Sequence, residues 1–124
     1  MTICSKEKQD YPGLLPAIDM YNSDRIEDVY AKSRKNLVGF RILSGKHGLL
    51  SAMDYIANYD KLLTHDGVDE LTKKVSNQLK FDSIDEVLFF GKDLKEFPEW
   101  WPYYEVIEKA SAERDIKLNY QLVK

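Results

Sequence analysis

The sequence has few of the residues that cross-link a chain or hold a metal ion. It contains one cysteine and two histidines in 124 residues. A single cysteine, Cys4, excludes an internal disulfide and any multi-cysteine metal site, and the two histidines show no zinc spacing. No metal and no cofactor are therefore predicted, and a reducing cytoplasm is the expected compartment.

Long apolar runs and an excess of positive charge are also missing. No run approaches the roughly 18 residues that a membrane span needs, and the first residues lack a signal-peptide layout. The formal net charge is -3, so the chain lacks the broad basic field of a nonspecific nucleic-acid binder. The composition, 44% hydrophobic and 31% charged, is typical of a soluble globular protein, and the length predicts one domain over residues 1–124.

Strand-like and helix-like segments alternate along the chain. The strand-like segments are Thr2–Cys4, Val38–Leu43, Val87–Phe90 and Ile116–Val123. The helix-like segments begin near Ser23, Val68 and Pro102. This order predicts an α/β fold: a three-layer, Rossmann-like, mainly parallel sheet of about four to five strands flanked by helices. Continuous apolar runs indicate that the second and third strands are central, alternation indicates that the last lies nearer an edge, and Leu49–Lys61 is expected to be loop and short helix.

Small polar and basic residues follow three of these predicted strands. They are Ser5–Lys6, Ser44–Gly48 and Gly91–Asp93. Ligands bind beyond the carboxyl ends of the strands in open α/β sheets, so these residues predict a small positive pocket for a phosphate, a carboxylate or a polarised carbonyl. Each residue also has a plainer interpretation: a solvated lysine, a glycine that serves a turn, or a packed histidine.

Two nucleotide-binding motifs are excluded. Gly39 to Lys46 is not a P-loop, because the glycine spacing is too long and His47 stands where that motif needs Ser or Thr. The dinucleotide fingerprint G-x-G-x-x-G does not occur in the sequence. Any nucleotide site must therefore be built in another way.

Two sequence blocks resemble the YaaA peroxide-stress family. Arg41–Leu50 reads RILSGKHGLL and is followed by Asp54 and the pair Tyr59-Asp60. This block is similar to the L-S-x-x-Y/H-G-L-L segment of that family and to the tyrosine that follows it.

A second block resembles small uncharacterised bacterial and phage domains related to YaaA. Cys4–Lys8 and Pro16–Ser23 are similar to the C-S-x-x-K and P-A-x-x-x-Y-x-S segments of those domains. Both blocks show a fainter similarity to the core domain of archaeosine synthase, which modifies a deazaguanine base in tRNA. The resemblance extends roughly from Cys4 to Leu63, and the rest of the chain matches only in the order of its elements.

The resemblance implies a Rossmann-like sheet with a pocket lined by both blocks. The residues that it brings into the pocket are Ser5, Lys8, Tyr21, Ser23, Ser44, Gly45, Gly48, Tyr59 and Asp60. YaaA proteins are associated with DNA binding and oxidative stress, so the resemblance implies a ligand related to nucleic acids.

The leading hypothesis is an enzyme-like domain that binds a nucleobase, a nucleotide or another small anionic ligand and acts on a base or its glycosidic linkage. Lys8 or Lys46 would hold phosphate or act as a nucleophile, and His47 or Asp60 would move a proton. The predicted ligand-binding residues are Ser5, Lys6, Tyr21, Ser23, Ser44, Gly45, Gly48 and Tyr59.

The rival hypothesis is a noncatalytic module that binds DNA or a protein partner. It would use the Trp100-Trp101 pair and the basic residues from Lys32 to Lys35. Because the net charge is negative, affinity for duplex DNA should be weak and sensitive to salt. No membrane partner is expected, and the sequence carries no prediction of an oligomeric state.

Overall fold

The computed structural model describes residues 1–123, which form seven β-strands, four α-helices and two short 3-10 helices. The chain divides into two compact units, Met1–Leu62 and Leu63–Lys124. The expectation of one domain over residues 1–124 stays a prediction. Among residues 1–123, no helix is long and apolar enough to cross a bilayer.

The first unit is a small mixed sheet with a helix and a separate β-ribbon. Its elements are β1 (Thr2–Ile3), β2 (Leu14–Pro16), α1 (Ala17–Met20), α2 (Asp24–Lys35), β3 (Ile42–Ser44), β4 (Gly48–Leu50) and β5 (Tyr55–Ala57). β1 pairs with β3 in parallel, β3 pairs with β4 in antiparallel fashion, and β2 and β5 form the antiparallel ribbon. Helix α2 begins after Ser23, whose side chain accepts from the Ile26 N–H, and buries Ile26 and Val29.

The second unit is a parallel strand pair with two packed helices. Its elements are a 3-10 helix (His65–Gly67), α3 (Val68–Phe81), β6 (Glu86–Gly91), a 3-10 helix (Pro98–Trp100), α4 (Trp101–Glu113) and β7 (Lys117–Leu122). β6 and β7 pair in parallel from Glu86↔Lys117 to Gly91↔Leu122. The helices pack on each other through apolar stripes that include Val75 and Leu79 of α3 and Ile107 of α4.

The prediction of a Rossmann-like, mainly parallel sheet of four to five strands is wrong. The strands lie in three small sheets: β1-β3-β4, β2-β5 and β6-β7. The tight turn Gly45–His47 sends the chain back along β3, so β4 is antiparallel to it. The segment Leu49–Lys61, predicted as loop and short helix, completes β4 and supplies β5.

The two strands predicted to be central differ in burial: β3 lies between β1 and β4 and is buried throughout, whereas β6 is exposed on one face. Val87 and Phe89 of β6 are buried, but Leu88 between them is 46% exposed, so the run does not mark a strand covered on both faces. The predicted strand Val38–Leu43 begins only at Ile42. Val38 belongs instead to the end of α2, because its N–H donates to the carbonyl of Ser33.

Candidate functional site

Ser44 ends β3 and organises the turn that follows it. Its side chain is fully buried, and its Oγ accepts the backbone N–H groups of Lys46 at 3.2 Å and His47 at 3.1 Å. Gly48 closes the turn with φ 73°, the left-handed region that favours glycine. The turn is therefore held from inside by a serine hydroxyl and has little conformational freedom.

A chain of hydroxyl groups leads away from this serine. Ser44 Oγ lies 2.7 Å from the hydroxyl of Tyr59, which lies 2.5 Å from the hydroxyl of Tyr21. Because two N–H groups occupy the lone pairs of Ser44 Oγ, the serine O–H donates to Tyr59. One bond joins the two tyrosines, and Tyr21 also hydrogen-bonds Ser44. The three hydroxyl groups therefore form one linked cluster.

Tyr21 and Tyr59, the two tyrosines of the hydroxyl chain, stay neutral well above neutral pH. Burial, followed by the nearby Cys4, raises the pKa of Tyr21 to about 12. The same two causes, with Tyr21 as a third, raise the pKa of Tyr59 still further above its ordinary value. A neutral phenol donates a hydrogen bond, whereas a phenolate would only accept one. The tyrosines are thus suited to hydrogen-bond a ligand as neutral phenols, and not to transfer a proton in either direction.

Two lysine side chains converge on the ring of Tyr59. The Lys8 Nζ lies 4.5 Å from the centre of that ring and the Lys46 Nζ lies 5.5 Å from it. Such cation–π contacts hold an ammonium group in place without neutralising its charge. Among residues 1–123, neither lysine has a carboxylate within salt-bridge distance, and the only bond of the Lys8 Nζ is to the Lys6 carbonyl at 3.3 Å. Two uncompensated positive charges therefore sit beside the hydroxyl chain.

The first loop reaches this place through Lys8 and Tyr21, which form an isolated antiparallel bridge. Flanking backbone bonds from Gln9 to Met20 and from Asn22 to Glu7 extend that bridge. The segment between Lys8 and Tyr21, which contains β2 and α1, is thereby closed by backbone bonds where its two ends meet. This pairing places Lys8 over the tyrosine rings.

The histidine of the turn also contacts the central tyrosine. The His47 ring packs edge-on against the Tyr59 ring, with 5.3 Å between centroids, and is half-buried. This contact fits a packed aromatic and also leaves the imidazole beside the two lysines. Proton transfer by His47 stays a prediction.

The structure brings together most of the predicted site residues. The residues in direct contact around the central ring are Lys8, Tyr21, Ser44, Lys46, His47 and Tyr59. Gly45 and Gly48 form the turn beneath them. The hydrogen bond between Tyr21 and Tyr59 ties the first loop to this group.

Four of the predicted site residues are not among the contacts around the Tyr59 ring. Ser23 caps α2, and the Ser5 hydroxyl donates to the carbonyl of Glu7 at 2.6 Å. Lys6 is exposed, and its carbonyl accepts from Lys8. Asp60 is exposed, and no side-chain hydrogen bond or ion pair of Asp60 occurs within residues 1–123.

The third predicted strand end, Gly91–Asp93, lies in the second unit and has a structural explanation. A Cβ at Gly91 would overlap the hydroxyl of Tyr104, which donates to the Lys92 carbonyl at 2.9 Å. The Lys92 Nζ lies 4.2 Å from the centre of the Phe97 ring, and Asp93 accepts from the Lys95 N–H. Packing and turn bonds therefore account for these residues.

Sequence reasoning missed Arg25, a residue of the first turn of α2. Its guanidinium donates to Thr2 Oγ1 at 2.7 Å and to the carbonyls of Ile3 at 2.8 Å and Cys4 at 3.3 Å. Burial lowers the pKa of Arg25 to about 10, and the cation still ties α2 to the end of β1. Its position one turn into a capped helix carries no signal of this role, because the acceptors lie more than twenty residues away.

Comparison with known proteins identifies a family but not an activity. A family model described as a family of unknown function, DUF6884, matches residues 1–97. No curated protein and no solved structure matches the chain. The match includes every residue of the candidate site and shows no link to the YaaA family or to archaeosine synthase. The chain therefore belongs to the DUF6884 family, whose function is unknown.

Proposed function

We propose that the site around Tyr59 binds a small anionic ligand of the nucleotide or nucleobase class. The observation that carries the proposal is the convergence of Lys8 and Lys46 on the ring of Tyr59, beside the Ser44–Tyr59–Tyr21 hydroxyl chain. Ammonium groups without carboxylate partners attract phosphate, and the tyrosine hydroxyls can exchange hydrogen bonds with a base nitrogen or carbonyl.

The two lysines fit phosphate recognition better than a structural role. The distances from Lys8 and Lys46 to one ring centre limit the separation of the two ammonium groups to the sum of those distances. A diphosphate is long enough to contact both ammonium groups at this limit, and a single phosphate can do so where they lie closer together. A purely structural lysine would normally point its ammonium group toward water or a carboxylate.

The proposed reaction is attack on a base or its glycosidic linkage. In hydrolysis of that linkage, the water oxygen joins the anomeric carbon and a proton passes to the departing base. His47 would supply that proton, while Lys8 and Lys46 hold the phosphate. Asp60, exposed and one residue from Tyr59, is the remaining candidate for activating water.

The proposal includes an evolutionary link. The L-S-G-K-H-G-L-L segment and the C-S-x-x-K segment that resemble YaaA-related domains supply Ser44, Lys46 and Lys8 of this site. We infer from this that the family is related to YaaA and, more distantly, to archaeosine synthase. A reducing cytoplasm is the proposed setting, because Cys4 is the single cysteine of the chain.

Calorimetric titration tests the binding proposal. The ligands are a nucleoside monophosphate, the matching nucleoside, the free base and inorganic pyrophosphate. We expect Lys8→Ala and Lys46→Ala each to weaken binding of the phosphate-bearing ligands by about ten- to a hundredfold, the worth of one hydrogen bond to a charged group. Both variants should keep the wild-type melting temperature, because neither lysine forms an ion pair within the described residues.

Lys35→Ala is the matched control. Lys35 is an exposed lysine in the last turn of α2, so this variant removes the same charge from the same unit and should bind like the wild type. The proposal fails if no ligand of the series binds the wild-type protein. It also fails if all three lysine variants weaken binding equally, because net charge alone would then explain the affinity.

The second candidate function is a noncatalytic module that binds DNA. Arg34 and Lys35 are exposed at the carboxyl end of α2, and Trp101 is 43% exposed. These features fit a weak contact with phosphates and bases. Trp100 is buried, so the tryptophan pair offers one ring to a partner instead of two.

A further inference from the structure

Strand β7 ends its sheet with an edge that the described part of the chain leaves open. It is six residues long and pairs with β6 on one side only. Proteins usually protect such an edge with proline, inward-pointing charge or a bulge. The sequence KLNYQL contains no proline and a single charge, at its first residue. This strand also lies outside the residues that the family model matches.

The backbone of β7 shows which groups face the open edge. Lys117 and Val123 donate their N–H groups toward β6, to the carbonyls of Asp85 and Gly91. Successive residues of a strand point these groups to opposite sides, so Leu118, Tyr120 and Leu122 direct theirs outward. Among residues 1–123, the one bond to these outward groups is a 3.4 Å contact from the Gln121 side chain to the Leu122 carbonyl.

The side chains of the same three residues form the rim of the core on the α4 side. Tyr120 stacks on Tyr104 of α4 with 5.4 Å between ring centres. Leu118 and Leu122 each lie two residues from Tyr120 along the strand, so their side chains point to the same face of β7 as the Tyr120 side chain. Tyr120 is 42% exposed and Leu122 is 61% exposed. The apolar layer therefore continues past the last strand, where another strand would cover it.

We propose that β7 pairs in antiparallel fashion with β7 of a second copy of this chain, about a two-fold axis that passes beside Tyr120. The outward N–H and C=O groups of Leu118, Tyr120 and Leu122, six per chain, then gain hydrogen-bond partners. The two β6–β7 pairs become one four-stranded sheet. The proposal is independent of the small-ligand site, because it rests on the second unit alone.

The sequence of β7 is complementary to itself in this register. Tyr120 faces Tyr120 of the second copy, and Leu118 faces Leu122 on the same side of the sheet. On the other side Asn119 faces Gln121, two amides that can bond each other. Lys117 faces Val123, so no like charges meet. A peptide partner would need such complementarity from an unrelated sequence, whereas a second copy provides it by symmetry.

Charge pairs at two exposed positions test the register. Asn119→Lys with Gln121→Lys places like charges opposite each other twice, whereas Asn119→Lys with Gln121→Glu places opposite charges there. We expect sedimentation equilibrium to show a dimer of the wild type. The dimer dissociation constant should be at least tenfold higher for the Lys/Lys variant and within about threefold of the wild-type value for the Lys/Glu variant.

The control variant is Ala31→Lys with Ala112→Lys, which changes two exposed helix positions. It adds the same charge elsewhere and should leave the dimer dissociation constant unchanged.

Hydrogen exchange of the backbone supplies a second measurement. The amides of Tyr120 and Leu122 should become protected as the protein concentration rises, while the Asn119 and Gln121 amides, bonded to β6, should be protected at every concentration. A wild-type protein that stays monomeric at all concentrations overturns the proposal. So does a dimer that the Lys/Lys variant leaves intact, because its interface must then lie elsewhere.

Discussion

Ser44 joins the turn after β3 to the hydroxyl chain of the site. It is fully buried, and its hydroxyl joins the backbone of the Gly45–His47 turn to the side chain of Tyr59. Removing that oxygen leaves two N–H groups and one phenol without their partner in a buried place. The serine is therefore part of the scaffold of the site, whatever ligand the site binds.

Ser44→Ala should lower the free energy of unfolding by about 1–3 kcal/mol, the cost of leaving buried polar groups without partners. Urea denaturation of the variant and the wild type measures this difference. Ser51→Ala is the control, because Ser51 is half-buried and its side chain makes no hydrogen bond within residues 1–123. A Ser44→Ala variant as stable as the control would contradict the scaffold role.

Tyr21 should make the protein less stable at high pH. Its pKa is raised to about 12 in the folded protein, whereas an unfolded tyrosine ionises near pH 10. Stability from this group is therefore complete below pH 10 and is lost as the pH rises toward 12, by about 2 kcal/mol. Urea denaturation at pH 9 and pH 11 should show a larger loss for the wild type than for Tyr21→Phe.

Absorbance of ionised tyrosine near 295 nm provides the independent check. The difference between the wild type and Tyr21→Phe should titrate well above pH 10 in the folded protein and near pH 10 in denaturant. Equal midpoints in the two conditions would show that the Tyr21 hydroxyl is not buried in the hydrogen-bond chain.

At the scale of elements, the three long helices end in the same way. The residue after each C-cap has positive φ: Leu37 at 56°, Ser83 at 55° and Asp115 at 54°. The next residue then donates back to the helix, from Val38 to Ser33 in the case of α2. This is the Schellman ending, which usually has glycine at the left-handed position. None of the three positions has glycine, so each helix end stores some backbone strain.

Leu37→Gly should therefore stabilise the protein. Leu37 is 93% exposed, so the change removes almost no packing and relieves a left-handed conformation that costs about 1 kcal/mol outside glycine. A gain of about 0.5 kcal/mol, visible as a higher melting temperature, remains after the extra chain entropy of glycine. Lys35→Gly, inside the same helix, should destabilise instead. A Leu37→Gly variant no more stable than the wild type would mean that the strain is absent.

At the scale of the whole molecule, the negative charge limits nucleic-acid binding. The formal net charge is -3, although Arg34 and Lys35 form a small basic end on α2. Any duplex DNA affinity should therefore depend on few phosphate contacts and fall steeply between low and physiological salt.

Fluorescence anisotropy with a labelled duplex at the two salt concentrations checks this expectation. Arg34→Ala with Lys35→Ala should remove the low-salt binding, whereas Lys8→Ala should leave most of it if the small-ligand site is separate. Tight binding that does not change with salt would favour the DNA-binding module and count against the small-ligand proposal.

Local sequence patterns predicted the three long helices and the positions of β1, β3, β6 and β7, but not β2, β4 or β5. Helix α3 begins at Val68 as predicted, because the spacing of its apolar residues and the polar residues before it are local signals. The apolar run at Val87–Phe90 did mark β6, but it did not indicate which faces are covered. Strands of three residues, such as β4 and β5, are too short for periodicity to identify.

The sequence by itself determined the turn at Gly45–Gly48, the start of α2 near Ser23 and the candidates for the site, because each depends on neighbouring residues. Only the tertiary structure decided which candidates meet. Tyr59 bonds Ser44 across 15 residues and Tyr21 across 38, and no local preference encodes such distances. Sheet pairing was decided in the same way, since a strand shows its apolar faces in its sequence but not the strand that lies beside it.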